Sequence, residues 1–412
     1  MLEKIKRVKF NKRGSEIMQI ANRMNLLGTE TAFEVLAEVN RLKAEGKDII
    51  SFAIGEPDFD TPSNIIDSGI KALQEGYTHY GPSAGLMPFR ESIARYISCT
   101  RGIEINPEEV VVTPGAKPII FFSMLVCINE GDEVIYPNPG FPIYESVINF
   151  VGAKAIPLPL LEEKNFRFDI GWLKNKISDH TKMIIINSPQ NPTGGILTEE
   201  DLREIAELAI KYDLWIFSDE IYCNMVYDGE FKSIISLPGM KERTILLDGF
   251  SKTYAMTGWR LGFGVMNVNL ATQFIRLETN SVSCTATFTQ VAGIEALEGS
   301  QEKSQEMIRE FRMRRNIIVE ALNDIEGITC KKPGGAFYVF PNVTKVCHRL
   351  NLKNSKELQQ YLLYKAGVAV LARTCFGKKN QEENQEYIRL SYATSRENII
   401  EGIKRIKKAV EK

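Results

Sequence analysis

Apolar positions along the chain follow two different periods. Across 29–43 they fall at Phe33, Leu36, Val39 and Leu42, the spacing of one helix face, and Gly46 and Lys47 close that segment. The stretch IISFAIGEPDFDTP (49–62) then predicts a short strand running into a Gly/Pro turn. Further strands are expected at 110–113, 133–136, 154–158, 182–187, 214–219, 244–248 and 262–266. Helical segments, such as 199–212, lie between many of them. Several of these strands are unbroken apolar runs (MIIIN, LWIFSD, TILLDG), as strands are when both faces of a sheet are covered. Strands and helices alternating in this way predict an α/β fold with a mostly parallel, seven-stranded sheet.

From about residue 300 the pattern changes. A long amphipathic helix is expected over 302–323, then short strands at 336–340, 368–371 and 387–391. Helices are expected at 355–366 and 395–410. This is the pattern of a smaller α+β domain. A chain of 412 residues exceeds what one core usually holds, so two domains are expected. The expected division is a large domain at 49–300 and a small one at 301–412, with the N-terminal arm and helix (1–48) joined to the small one.

Charge and composition narrow the functions. The formal net charge is -1, with 44% hydrophobic and 25% charged residues, so no broad attraction to nucleic acid or to an acidic membrane is expected. No apolar run reaches the length of a membrane span. Lys4, Lys6, Arg7, Lys9, Lys12 and Arg13 form a basic stretch with no apolar segment after it, read as a solvated arm rather than a secretory signal. Seven scattered cysteines, none in a CxxC pair, argue against a disulfide framework or a zinc site and suit a reducing cytoplasm. His79, His180 and His348 are too dispersed for a metal site, and none is expected.

Two motifs mislead. GFSKT (249–253) lacks the glycine just before its lysine that a phosphate loop requires, and no GxGxxG follows an early strand. The informative signal is a set of segments at the expected C-terminal ends of strands, where open α/β sheets bind ligands. They are TPGAK (113–117), NPGFPIY (138–144), NSPQNPTGG (187–195), SDEIY (218–222) and DGFSKTYAMTGWRLGFG (248–264). YIRLSYA (387–393) lies in the expected second domain. With these residues the chain, from about residue 25 to its end, resembles a fold-type I, class I/II aminotransferase of the aspartate aminotransferase superfamily, a family dependent on pyridoxal 5'-phosphate (PLP). The SKTxxxxGxRxG core with DExY and NPTG upstream is specific as a set.

The resemblance assigns roles that the chemistry can use. PLP needs an amine to hold its aldehyde as a Schiff base, and Lys252 stands where the family places it. The same amine, once freed, would move a proton in ping-pong chemistry between an L-amino acid and a 2-oxo acid. A ring nitrogen that must stay protonated needs a carboxylate, matched by Asp219. Tyr222 resembles the tyrosine that donates to O3', and Asn191 the asparagine that shares that oxygen. Gly115, Ala116 and Lys117 lie where strand meets helix, so their backbone N–H groups suit a phosphate. Arg260 matches the phosphate-gripping arginine, Phe141 the ring-stacking aromatic, and Ser251 is counted with the cofactor set. A glycine, Gly249, stands where most relatives carry serine. Tyr80, in YTHYGPSAGLMPFR, resembles the tyrosine that reaches the phosphate of a neighbouring subunit, which implies a homodimer with shared active sites. Arg389 matches the arginine that binds the substrate carboxylate, with Gly55 as a close backbone contact beside it.

VLARTCFG (370–377) departs from the family, which usually has glycine where Arg373 stands. Arg373 and Cys375 either face the substrate side chain or belong to the loop, and the loop is the preferred reading. Two other functions stay open at this level. A PLP-dependent lyase, synthase or oxidase would share the cofactor site. A ligand-sensing regulator would need a DNA-binding domain, for which the residues before GEPDF (55–59) leave too little chain.

Overall fold

The computed structural model describes residues 20–28 and 31–411. The basic stretch at 4–13 and residues 29–30 lie outside the described residues, and the first expected helix is seen as Thr31–Ala44. In chain order the strands are β1 (Ile50–Ser51), β2 (Val110–Thr113), β3 (Glu133–Asn138), β4 (Lys154–Leu161), β5 (Arg167–Phe168), β6 (Thr181–Asn187), β7 (Trp215–Asp219), β8 (Thr244–Gly249), β9 (Gly262–Val265), β10 (Tyr338–Val339), β11 (Val368–Ala369), β12 (Leu371–Ala372) and β13 (Ile388–Ser391).

All seven strands expected for the main sheet form there. An eighth, the two-residue β5, adds to its edge; it is too short to show an alternation in the sequence. The order is β2-β9-β8-β7-β6-β3-β4-β5. Strands β8, β7, β6, β3 and β4 run parallel to one another, while β9 is antiparallel to both its neighbours and β5 to β4. The apolar runs are explained by burial on both faces. Met183, Ile185 and Phe217 pack on one side with Ile119 and Phe274. Ile184, Ile186 and Ile216 pack on the other, with Leu202 and Ile205 of the helix Glu199–Lys211. That helix starts with a capping box, in which the Thr198 side chain accepts from the Asp201 N–H and the Asp201 carboxylate accepts from the Thr198 N–H. Asn138, Asn187, Asp219 and Gly249 end parallel strands at one edge of the sheet, and Asn187 lies opposite Asp219 in register. That edge is where the functional segments gather.

The C-terminal part follows the second pattern. The helix Glu302–Asn323 buries Met307, Phe311, Ile318 and Leu322. Beside it lies a small antiparallel sheet in the order β10-β13-β12. The helix expected at 355–366 begins as Ser355–Tyr361 and finishes in a wider π turn, Leu362–Ala366. The N-terminal segment joins this part of the molecule. Strand β1 pairs in parallel with β11, Ile50 opposite Val368, and Val35, Val39 and Leu42 pack with Leu371 and Phe376. No helix among the described residues is long and apolar enough to cross a membrane.

Candidate active site

A cavity of about 360 Å³ opens at the carboxyl edge of the sheet. Its lining includes Gly55, Ala116, Lys117, Phe141, Asn191, Asp219, Tyr222, Ser251, Lys252, Arg260 and Arg389. Residues as far apart in sequence as Ala32 and Arg389 are thereby brought into one space, in large part because the parallel strands deliver their loops to the same edge.

Lys252 sits on the single helical turn Phe250–Thr253 that follows β8, and its Nζ donates to the carbonyl of Gly55 at 2.6 Å. Asp219 closes β7 and is buried. Burial pushes its carboxyl up to about 6, against a hydrogen bond from the Tyr144 hydroxyl, one from the Ile221 N–H at 3.2 Å, and the nearby Lys252 charge. The Asn187 amide ties the turn at 187–195 to this strand end, donating to the Asp219 carbonyl at 3.1 Å and accepting from the Asn191 N–H at 2.9 Å. Beneath the strand end lies a charged cluster. Buried Arg101 meets Glu220 at 2.9 Å and Asp248 at 3.3 Å, and the hydroxyls of Ser218 and Ser233 donate to Glu220.

Arg389 is held from several sides. One guanidinium nitrogen donates to Asn191 Oδ1 at 3.0 Å and the other to the Ala53 carbonyl. Its guanidinium carbon lies over the rings of Tyr338 and Phe376, 4.5 and 4.9 Å from their centroids. The Tyr338 hydroxyl pairs with that of Tyr222 at 2.7 Å, and burial raises the Tyr222 phenol well above its ordinary range. Gly55 packs against the same hydroxyl: a Cβ there would stand 2.0 Å from Tyr338 Oη.

On the opposite wall, Gly115 has φ +83°, and a Cβ on it would stand 2.2 Å from Arg260 Nη2. Glycine therefore lets the guanidinium lie directly on the turn before the helix Lys117–Cys127. Gly262 makes a second such approach, with a Cβ position 2.5 Å from the Ala116 backbone nitrogen. Phe141 meets Tyr144 edge-on at 5.7 Å, and the Lys117 ammonium lies 5.5 Å from the Phe141 ring centroid. At Gly249 the backbone is extended, and a Cβ would meet Gly262 Cα and Ile221 Cδ1 at 3.2 Å, so a side chain there would crowd both.

Tyr80 is not in the lining; it is 91% exposed on the surface. Arg373 and Cys375 part ways. Cys375 lines the cavity, whereas the Arg373 side chain is fully buried away from it and paired with Glu383. Tyr144, Tyr338 and Phe376 are among the lining residues to which the sequence assigned no role. Tyr144 stands three residues after Phe141, in the first turn of the helix Ile143–Phe150, and its N–H donates to the Phe141 carbonyl at 3.1 Å. Tyr338 and Phe376 come from segments whose apolar character reads as core. Among the described residues no group of three or more metal-ligating side chains occurs.

The family model for aminotransferase class I and II matches residues 47–406. An aspartate aminotransferase of Pyrococcus horikoshii is 41% identical over 394 residues, covering 95% of this chain and 97% of its own. A probable aspartate/prephenate aminotransferase of Aquifex aeolicus is 40% identical, with 95% and 98% covered. Among solved structures, an aspartate aminotransferase from Rhizobium meliloti superposes with a TM-score of 0.90 at 31% identity, over 96% of this chain and 99% of that one. The chain therefore belongs to the class I and II aminotransferases. It is an enzyme, a transaminase, and the family to which it belongs depends on PLP.

Proposed function

We propose that the chain binds PLP at Lys252 and transfers an amino group between an L-amino acid and a 2-oxo acid, as a homodimer whose active sites are completed across the interface. One observation carries the reading: a single cavity is lined at once by the Lys252 amine, the buried Asp219 carboxylate, and two arginines, Arg260 and Arg389. The donor set suits the cofactor. The Gly115 turn, too close to Arg260 for any Cβ, offers backbone N–H groups and a guanidinium to a phosphate. A buried carboxylate suits a protonated ring nitrogen.

Bound PLP supplies an aldehyde that joins the substrate amine and a ring that takes up electron density from Cα. The rest is done by the chain. Asp219 holds the proton on the ring nitrogen, and the Tyr144 hydroxyl and the Ile221 N–H keep its carboxylate oriented. Tyr222 and Asn191 would offer their polar groups to O3', and Phe141 would supply an aromatic face to the ring. Arg389 takes the substrate carboxylate in a bidentate grip, aligned by Asn191 and the two flanking rings. The Lys252 amine takes the proton from Cα and returns it at C4'.

Acidic amino acids with 2-oxoglutarate are the proposed substrates. The names of the relatives support this, and Lys117 adds a fourth positive charge to the lining. Tyr80, exposed on its own chain, is proposed to reach a partner's phosphate site. Grouping the first helix with the C-terminal unit is supported by the packing of Val35, Val39 and Leu42 on Leu371 and Phe376, and the β1–β11 pairing carries residues 50–51 into that unit too, past the expected boundary at 49. A cytosolic location is supported by seven unpaired thiols.

The test is chemical. Protein loaded with PLP and treated with borohydride should carry the reduced cofactor on Lys252 in a peptide map. Glutamate or aspartate should convert the bound absorbance to that of the pyridoxamine form. No adduct at Lys252, or no conversion by any amino acid, overturns the proposal.

A further inference from the structure

Arg373 is not part of the lining of the active-site cavity. The side chain has no exposed surface, which a cation tolerates only when its donors are satisfied. They are. Nε and Nη2 grip the Glu383 carboxylate in a bidentate pair at 2.6 and 2.8 Å. Nη1 donates to the Gly377 carbonyl at 3.1 Å. Nη2 also donates, at 3.1 Å, to Oδ1 of Asn138, a residue 235 positions away at the end of β3.

Asn138 answers with bonds of its own. Its Nδ2 donates to the Lys378 carbonyl and to Asn380 Oδ1, both at 2.8 Å, and its carbonyl accepts from Asn380 Nδ2 at 3.1 Å. The Gly140 N–H donates to the Phe376 carbonyl at 3.0 Å. The result is a buried polar knot that fastens the segment 373–383 onto the turn carrying Phe141. Two residues of that segment, Cys375 and Phe376, line the cavity, and Phe376 is one of the two rings against Arg389.

We infer that Arg373 is a positioning residue: through Asn138 and Glu383 it sets the wall formed by Cys375 and Phe376, and so the fit of the amino-acid substrate against Arg389. The inference rests on the role proposed for Arg389. It is distinguishable from the proton chemistry at the cofactor, because the bonds of the knot run among Asn138, Gly140 and the segment 373–383.

Two variants test it. Asn138→Ala removes the side-chain bonds to Arg373, Lys378 and Asn380 and leaves the Arg373–Glu383 pair in place. The double variant Arg373→Met with Glu383→Met removes both charges together, so that neither is stranded. In each, KM for the amino acid should rise about tenfold while kcat stays within about threefold, the signature of lost ground-state binding. The pH titration of the bound-PLP absorbance should match the wild type. Arg373→Lys, which keeps the charge but not the fork, should recover only part of the KM loss. An unchanged KM in folded Asn138→Ala overturns the inference, and so does an equal loss in kcat or a shifted absorbance titration. Should the double variant fail to fold, Asn138→Ala decides. Should wild-type protein itself take up no PLP, the function proposed above fails instead.

Discussion

Asp219 is a buried carboxyl at the end of β7, and burial is the largest cause of its raised proton affinity. Burial raises it from an ordinary value near 3.8 to about 6. A carboxyl raised in the folded state stabilises the fold fully below its unfolded value, and that contribution is lost as pH rises through the folded value. In apoprotein the loss should be on the order of 3 kcal/mol between pH 4 and 6. Urea denaturation should show wild type losing this stability relative to Asp219→Asn, which does not titrate, as pH rises across the window. With PLP bound, a protonated ring nitrogen should reverse the trend and favour the ionised form. Tyr338 is the second residue with a separable role. Its ring lies against Arg389 and its hydroxyl against Tyr222. Tyr338→Phe should keep KM and shift the absorbance titration of bound PLP. Tyr338→Leu should raise KM by about tenfold, for loss of a cation–π contact worth about 1–2 kcal/mol. Neither tyrosine contact was legible in the sequence. The gathering of Lys252, Asp219, Asn191 and Arg389 at one cavity was, because their segments resemble those of the aminotransferase family. Tyr338 and Phe376 look like any core aromatic until the chain is folded.

At the scale of elements, the strand ends set the chemistry and close backbone approaches set the strand ends. Gly262, on β9 opposite Thr113 of β2, has a Cβ position 2.5 Å from the Ala116 nitrogen. Gly262→Ala should push β9 from the turn at 115–116 and weaken PLP binding by about tenfold or more, read by fluorescence titration. Arg101 supports the same edge from below, with side chains of 3% exposure against 2% and 3% for Glu220 and Asp248. Arg101→Met should strand both carboxylates and destabilise the protein by about 3–5 kcal/mol, measured by thermal unfolding. The main strands were legible because their apolar runs are long and their faces both covered. The two-residue strand β5 was not, since pairing at an edge needs only backbone. Nor was the wider turn at 362–366, which differs from an α-helix in hydrogen-bond spacing and not in residue pattern.

For the whole molecule, the proposed dimer makes a prediction that no single chain can satisfy. If Tyr80 serves the partner's site, mixed dimers of Tyr80→Ala and Lys252→Ala chains contain one site with both wild-type groups. Such mixtures should regain wild-type PLP affinity in about half of the sites of each mixed dimer, measured after co-refolding. No recovery would place Tyr80 in its own chain's chemistry or in none. The pairing of β1 with β11 has an effect on how the protein is made. Ile50 leaves the ribosome more than three hundred residues before Val368, its partner. The large sheet can assemble in the meantime, but the first helix and strand must wait undocked for the last quarter of synthesis, exposing Val39 and Leu42 to solvent or to a chaperone.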